Sequence, residues 1–355
     1  MTLRRLTLGL HKRNIPTTVI RPRQKEETPN EHPYREHLVT GVPIPTYPDL
    51  RFGITTTGKL KELWREERPS LIHVATEGPL GLCAVMAARS LNIPVISSFH
   101  TNFHQYGNYY RYSFLIKIVL GYLRYLHNKT EATYAPSDDL IQTLIDSGFR
   151  NVKKLGRGVD AELFSPEKRS NALRKSWGVS ENTTVFAYIG RVAHEKNIPL
   201  AIESFNQAKA IIPDAKMVIV GDGPQREVLE CKYSDLIFCG MQKGEALAEH
   251  YASADVFLSP SITETFGNVI TEAMASGLLV ATYDYAAGKM FIKHGKNGIS
   301  APFDNEEIFK KRIIELTNNR NCWPAMRKAA RKTILSASWD NVIDDYLHTL
   351  EDYLP

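Results

Sequence analysis

The stretch TTVFAYIGRVAHEK, residues 183–196, changes character at Gly190. Up to Ile189 it is a short apolar run rich in β-branched and aromatic residues, the pattern of a strand buried on both faces. After the glycine come two cations, Arg191 and Lys196, at what reads as the opening of a helix. The same unit recurs. AKMVIVG (215–221), DLIFCG (235–240), DVFLSP (255–260) and GLLVAT (277–282) are further strand candidates, with helical periodicity over 196–212 and 267–276. Buried strands alternating with helices make a parallel sheet with crossovers, the doubly wound α/β class. Ligands on such sheets bind beyond the carboxyl ends of the strands, so the loops after these runs are where chemistry is expected.

The first half has the same rhythm. Strand candidates lie at 16–22, 70–76, 93–101, 131–137 and 151–158, separated by helices near 57–67, 79–91, 111–128 and 137–147. Residues 22–50 carry Pro22, Pro29, Pro33, Pro43, Pro45 and Pro48 and read as a long irregular surface stretch. GVDAELFSP (158–166) reads as a linker, and SWDNVIDDYLHTLEDYL (338–354) as an amphipathic terminal helix. The expected organisation is a domain over 1–157, a second over 158–337, and a terminal helix over 338–355. The chain starts with a helix (2–13) and then a strand (17–21), whereas a doubly wound domain normally starts with a central strand.

The 355 residues suit two such domains, and 43% hydrophobic with 23% charged residues excludes collagen, coiled coil and wholesale disorder. The four cysteines (Cys83, Cys231, Cys239, Cys322) are far apart, with no C-x-x-C pair. That argues against a zinc ribbon or a disulfide framework and for a reducing, cytoplasmic compartment. No apolar run approaches the ~18 residues that span a bilayer. MTLRRLTLGLHKRN carries charge on both sides of a very short apolar stretch and is not a signal peptide. The net charge of +5 is uneven: residues 1–150 hold 19 Lys+Arg against 13 Asp+Glu, and residues 151–355 hold 25 against 26. A basic first half suits an anionic acceptor or an anionic membrane surface, here the inner face of the cytoplasmic membrane. The basic residues are dispersed and form no nucleic-acid-binding module.

Five clusters fall on strand ends or helix starts. Gly190, Arg191 and Lys196 make a diphosphate site: helix-start amides favour the anion and the two cations neutralise it. A solvated basic helix start is the other reading. Gly221-Asp222-Gly223-Pro224 lets a ligand approach backbone, but it lacks the third glycine of a dinucleotide fingerprint, and no P-loop motif is present. In SITETFGNVITE (261–272), Glu264 precedes a helix expected to start near Phe266, and Glu272 lies about two turns in. The amides of Gly267, Asn268 and Val269 would suit a phosphate, with sugar hydroxyls donating to the flanking carboxylates. One capping and one surface glutamate would be the bland alternative. His100, in SFHT (98–101), ends a first-half strand. His104 follows at ligand spacing, but no third ligand is nearby and no metal site is expected. YDYAAG (283–288) could line a sugar pocket or be an ordinary loop. The chain has no D-x-D, so fixed cations rather than a bridging metal would hold a diphosphate, and no cofactor is expected.

Together, GRVAHEK, GDGP and the E-x7-E of ETFGNVITE resemble the retaining glycosyltransferases of family 4, and the likeness extends over nearly the whole chain. SFHTNFHQY, RGVDAELFSP, ETFGNVITEAMASG and YDYAAG look most like bacterial mannosyltransferases that use GDP-mannose. The resemblance implies a GT-B fold, with two doubly wound Rossmann-like domains facing a crevice. It also implies metal-independent transfer of a hexose to a lipid or glycan acceptor. By this likeness Arg191 and Lys196 hold the donor diphosphate, Glu272 binds the ribose hydroxyls and Glu264 the sugar hydroxyls. Gly190, Gly221, Gly223 and the amides of Phe266, Gly267, Asn268 and Val269 would complete the cradle, and the nucleobase would meet backbone near Gly240 and Met241. His100 would reach the transferred sugar from the N-terminal domain. The terminal helix would cross back to that domain. UDP-sugar enzymes that make sulfoquinovosyl or glucosyl lipids share the pattern, and a catalytically inactive nucleotide-sugar-binding chain is a third possibility. Family members open with a strand and a glycine loop, and the start of this chain corresponds in character to the helix and strand that follow them. The first strand is therefore expected to be missing.

Overall fold

The computed structural model describes residues 2–25, 32–44, 47–99 and 113–354. The chain divides into two compact units, Met1–Arg157 with Trp339–Pro355, and Gly158–Ser338.

The first unit begins with α1 (Thr2–Lys12), β1 (Thr18–Pro22), β2 (Arg35–Ile44) and β3 (Tyr47–Ile54). It continues through α2 (Thr57–Glu66), β4 (Ile72–Val74), α3 (Pro79–Ser90), β5 (Val95–Ser98), α4 (Ser113–His127), β6 (Thr133–Ala135), α5 (Asp138–Asp146) and β7 (Val152–Lys154). Strands β4-β5-β6-β7 form a parallel sheet. Its two faces are dry. Val95 joins Leu60, Trp64, Val85 and Ala88 on one side, while the next residue, Ile96, joins Leu6 and Tyr134 on the other.

The proline-rich stretch 22–50 departs from the sequence reading. Its described residues are largely strand rather than irregular surface: β2 pairs parallel with β1 and antiparallel with β3 in a separate three-stranded sheet. Pro22 ends β1, and Pro43 sits where the β2–β3 register shifts. A missing ladder donor is tolerated at such places, which is why counting prolines misjudged the segment.

The second unit contains α6 (Asn171–Ser176), β8 (Val185–Ile189), α7 (Ile198–Ile211), β9 (Lys216–Val220), α8 (Arg226–Lys232) and β10 (Ile237–Gly240). After these come α9 (Gly244–Ser253), β11 (Val256–Ser259), α10 (Asn268–Ala275), β12 (Leu279–Tyr283), α11 (Ala287–Phe291), β13 (Ile299–Ala301), α12 (Glu306–Asn318) and α13 (Trp323–Leu335). The six strands make one parallel sheet in the order β10-β9-β8-β11-β12-β13. Phe186 and Tyr188 of β8 pack towards Phe205 of α7 and Phe309 of α12, whereas Val185, Ala187 and Ile189 pack towards Tyr251 of α9 and Ile270 of α10. A strand buried on both faces has no polar alternation, as the run at 183–190 implied. The strand order reverses between β8 and β11, so their carboxyl ends flank the switch point where such sheets bind ligands.

At the amino ends, Asp255 accepts from the Val185 amide at 2.8 Å and from Arg169 at 3.1 Å, with Arg174 and Arg327 each 3.6 Å away. Helix α14 (Trp339–Leu350) belongs to the first unit. Its Ile343 packs where α1 offers only the hydrogen of Gly9, Asp344 accepts from Arg13 at 2.7 Å, and Tyr346 Oη lies 2.7 Å from His73 Nδ1.

Candidate functional site

Every cluster singled out in the second half of the sequence leaves the same end of the second unit's sheet. The β8 loop carries Gly190 to Lys196, the β9 loop Gly221 to Gly223, and the β10 loop Met241. The β11 loop carries residues 261–267, ending at α10. A cavity of about 600 Å³ opens there, within the size range of small-molecule sites. Gly190, Arg191, Gly221, Gly223, Met241, Val269 and Glu272 line it.

The loops meet backbone to backbone. The Val192 amide donates to Asp222 O at 2.9 Å, Gly190 N to Val220 O at 2.9 Å, and Gly221 N to Gly240 O at 2.8 Å. Gly221 has φ 139° and Gly223 φ 157°, and a Cβ on either would collide with the carbonyl of Gly190 or Val192. The glycines are thus required first by loop packing. The approach of a ligand to this backbone follows from it.

Lys196 ends a short 3-10 turn (His194–Lys196). Its ammonium donates to Glu264 Oε1 at 2.6 Å, to Thr263 O at 2.9 Å and to Ser261 Oγ at 3.3 Å. Both side chains of the pair are largely buried, at 18% and 16% exposed. Arg191 is paired more loosely, 3.5 Å from Glu195, and its side chain is 51% exposed. One cation is therefore fixed and the other is able to move onto an anion.

Helix α10 starts at Asn268, not near Phe266 as the sequence suggested. Gly267 is its N-cap, with φ 97° in the left-handed region, so the helix begins two residues later than the periodicity indicated. Phe266 lies in the preceding loop with its ring fully buried, and its carbonyl accepts from Ala287 N at 2.7 Å. The Ile270 amide donates to Gly267 O at 3.0 Å. Val269, in the first turn of α10, lines the cavity.

Glu272, one helical turn beyond Asn268, is half-buried at the cavity wall. Burial pushes its carboxyl up to about 7, against the pull of a hydrogen bond from Tyr251 Oη at 3.1 Å. Tyr251 is fully buried, and its own hydroxyl is held far above the usual phenol range by that burial. On the other side of the β11 loop, Tyr285 Oη donates to Glu264 O at 2.9 Å, so YDYAAG meets this loop as well.

His100 and His104 lie outside the described residues. Among the described residues no group of three His, Cys, Asp or Glu could hold a metal ion. Sequence reasoning missed Tyr251, Leu247 and Gln242, which also line the cavity. They come from α9 and the β10 loop, and nothing in their local spacing separates them from ordinary core and loop residues.

The comparisons with known proteins agree with this architecture. A model described as Glycosyltransferase Family 4 matches residues 1–163, and one described as Glycosyl transferases group 1 matches residues 169–333. A GDP-mannose-dependent alpha-mannosyltransferase of Corynebacterium glutamicum is 36% identical over 319 residues, 88% of this chain and 69% of the relative. The protein of the same name from Mycobacterium tuberculosis is 31% identical over 314 residues, 88% of this chain and 80% of the relative. An alpha-monoglucosyldiacylglycerol synthase of Streptococcus pneumoniae is 29% identical, covering 79% and 70%. The structure of a sucrose-phosphate synthase from Thermosynechococcus elongatus superposes with a TM-score of 0.80 at 17% identity, over 99% of this chain and 92% of the other. The fold is that of the GT-B glycosyltransferases. With both halves matched and relatives above 30% identity aligned along most of their length, the chain belongs to glycosyltransferase family 4 and is a hexosyltransferase.

Proposed function

We propose that this enzyme transfers mannose from GDP-mannose to a lipid or glycan acceptor, with retention at the anomeric carbon and without a metal. The observation that carries this reading is that Arg191 and Glu272 line the strand-end cavity while Lys196 and Glu264 pair 2.6 Å apart on loops leaving the same end of the sheet. Arg191, Lys196, Glu264 and Glu272 come from the loops of β8 and β11 and from α10. The donor choice is supported by the names of the two mannosyltransferase relatives.

In this reading the second unit binds the donor. The diphosphate lies against Arg191, Lys196 and the amides of Asn268 and Val269. Glu264 takes sugar hydroxyls and Glu272 ribose hydroxyls, and the base lies by Met241. The bond from the anomeric carbon to the diphosphate oxygen breaks as the acceptor oxygen bonds to the same face. The acceptor proton passes to the leaving diphosphate. Charge grows on that diphosphate, so the cations stabilise the transition state more than the ground state. Lys196 is held in place by three acceptors and exchanges the longest of these bonds, to Ser261 Oγ at 3.3 Å, for a diphosphate oxygen.

The first unit takes the acceptor. Helix α4 has no acidic residue and exposes Ile118, Val119 and Tyr125 beside Lys117 and Arg124, a surface suited to an anionic membrane. Among the described residues no helix is long and apolar enough to cross a membrane.

A second reading is UDP-sugar transfer to a lipid, for which the name of the glucosyldiacylglycerol synthase relative supports the glucosyl lipid product. Turnover of GDP-mannose, UDP-glucose and UDP-sulfoquinovose by the purified chain decides between the two. GDP-mannose consumed fastest supports the proposal, and a UDP-sugar consumed fastest replaces it with the second reading. Binding without turnover of any donor identifies an inactive chain.

A further inference from the structure

We infer that Tyr251 is a positioning residue for the donor: its phenol holds the Glu272 carboxyl in the orientation that receives the ribose hydroxyls. The inference rests on the reading of Glu272 as the ribose-binding group and assigns what makes that group effective.

Tyr251 is fixed. Its ring is completely buried and meets Phe164 edge-on, with centroids 5.5 Å apart, and Phe257 at 6.0 Å. Tyr251 is among the residues lining the cavity, and its hydroxyl donates to Glu272 Oε2 at 3.1 Å. The terminal torsion of a glutamate has a broad minimum, so an untethered carboxyl would sample many orientations. One hydrogen bond from an immobile donor selects among them. A carboxylate has about four acceptor positions. Tyr251 takes one on Oε2, leaving Oε1 and the outer side of Oε2 for a pair of neighbouring hydroxyls.

The same bond bears on protonation. Among the described residues no cation pairs with Glu272. The other ionisable groups at this end of the sheet have partners: Arg191 after β8 pairs with Glu195, and Asp222 after β9 with Arg226. Tyr188 of β8 donates to Arg191 O at 2.7 Å. Burial raises the carboxyl to about 7 and the Tyr251 bond is what opposes the rise. A protonated carboxyl has lost an acceptor position, so ribose binding favours the ionised form. Near neutral pH, donor binding therefore expels a proton, and donor affinity weakens as the pH falls below about 7.

The test uses Tyr251→Phe, which keeps the ring and removes the hydroxyl, beside Glu272→Gln. For Tyr251→Phe, KM for the donor should rise about ten-fold while kcat changes by less than about two-fold, the signature of lost ground-state binding. The acid limb of kcat/KM should move to higher pH. Calorimetry of GDP binding near pH 7, in two buffers of unequal ionisation enthalpy, should show proton release by wild type, more by Tyr251→Phe, and none by Glu272→Gln. A folded Tyr251→Phe with wild-type KM and acid limb overturns the inference. If that variant does not fold, wild type alone decides: GDP binding without proton release overturns it, and release supports it. Failure of the underlying reading looks different, because Glu272→Gln itself would then keep the wild-type donor KM.

Discussion

Lys196 Nζ lies 2.6 Å from Glu264 Oε1, joining the loops that leave two adjacent strands, β8 and β11, on either side of the switch point of the sheet. The pair does two things. It fixes the ammonium at the strand ends, where the proposed reading puts the diphosphate, and it holds the β11 loop that leads into α10. A donor bound here would meet a cation already placed, with one of its three bonds to be exchanged for the diphosphate.

Lys196→Ala should lower kcat at saturating donor by about 10²–10³, the scale of one lost oxyanion donor. Glu264 would also lose its partner, so donor KM should rise as well. Steady-state kinetics with the donor varied checks both effects. Near-normal turnover would remove Lys196 from the leaving-group role.

Gly221→Ala should damage the second unit before it touches chemistry. The added methyl would strike the Gly190 carbonyl at a φ that L-residues rarely adopt. A loss of about 1–3 kcal/mol is expected from the strain, read as a lower Tm, together with weaker nucleotide binding. The first unit contains none of these loops and should keep its own stability.

Asp255→Ala probes the opposite end of the same sheet. Asp255 is buried and faces three arginines, of which Arg174 is 1% exposed. Removing the carboxylate would leave buried guanidinium charge uncompensated, at about 3–5 kcal/mol. Denaturant unfolding measures this loss.

Glu272→Gln should stabilise the unliganded protein at high pH while weakening donor binding. The folded-state value of Glu272 is raised from 4.5 to about 7. Burial of this group therefore has no ionisation penalty below about 4.5, and stability is lost as the pH rises through about 7. Above that, the amide should raise stability by about 1–2 kcal/mol, discounted for the partial exposure of the site. The gain should vanish near pH 4.5, as thermal melts across the pH range would show.

The architecture of the second unit was legible because its strands are buried on both faces. Runs such as 183–190 and 215–221 have no alternation to blur them, and a glycine marks where each one stops. The described part of residues 22–50 was not legible, because Pro22 sits at a strand end and Pro43 at a register shift, places that composition cannot distinguish from loops. At the site, Gly190, Arg191, Gly221, Gly223, Val269 and Glu272, readable from motif order, line one cavity with Met241, while the predicted Lys196, Glu264, Phe266, Gly267 and Asn268 are not among its lining residues. Tyr251 was not, since what distinguishes it is a hydrogen bond across 21 positions from another helix. His100 lies outside the described residues.

The proposed function requires that the strand ends of the second unit hold a nucleotide-sugar diphosphate against Lys196 without a metal. Titration calorimetry of GDP-mannose with the full chain in EDTA tests it most directly, comparing wild type with Lys196→Ala. Wild type should bind, and the variant should bind at least about ten-fold more weakly, as expected for loss of a charge-assisted contact. Equal affinity in the two proteins, or binding by wild type only after a divalent cation is restored, would contradict it.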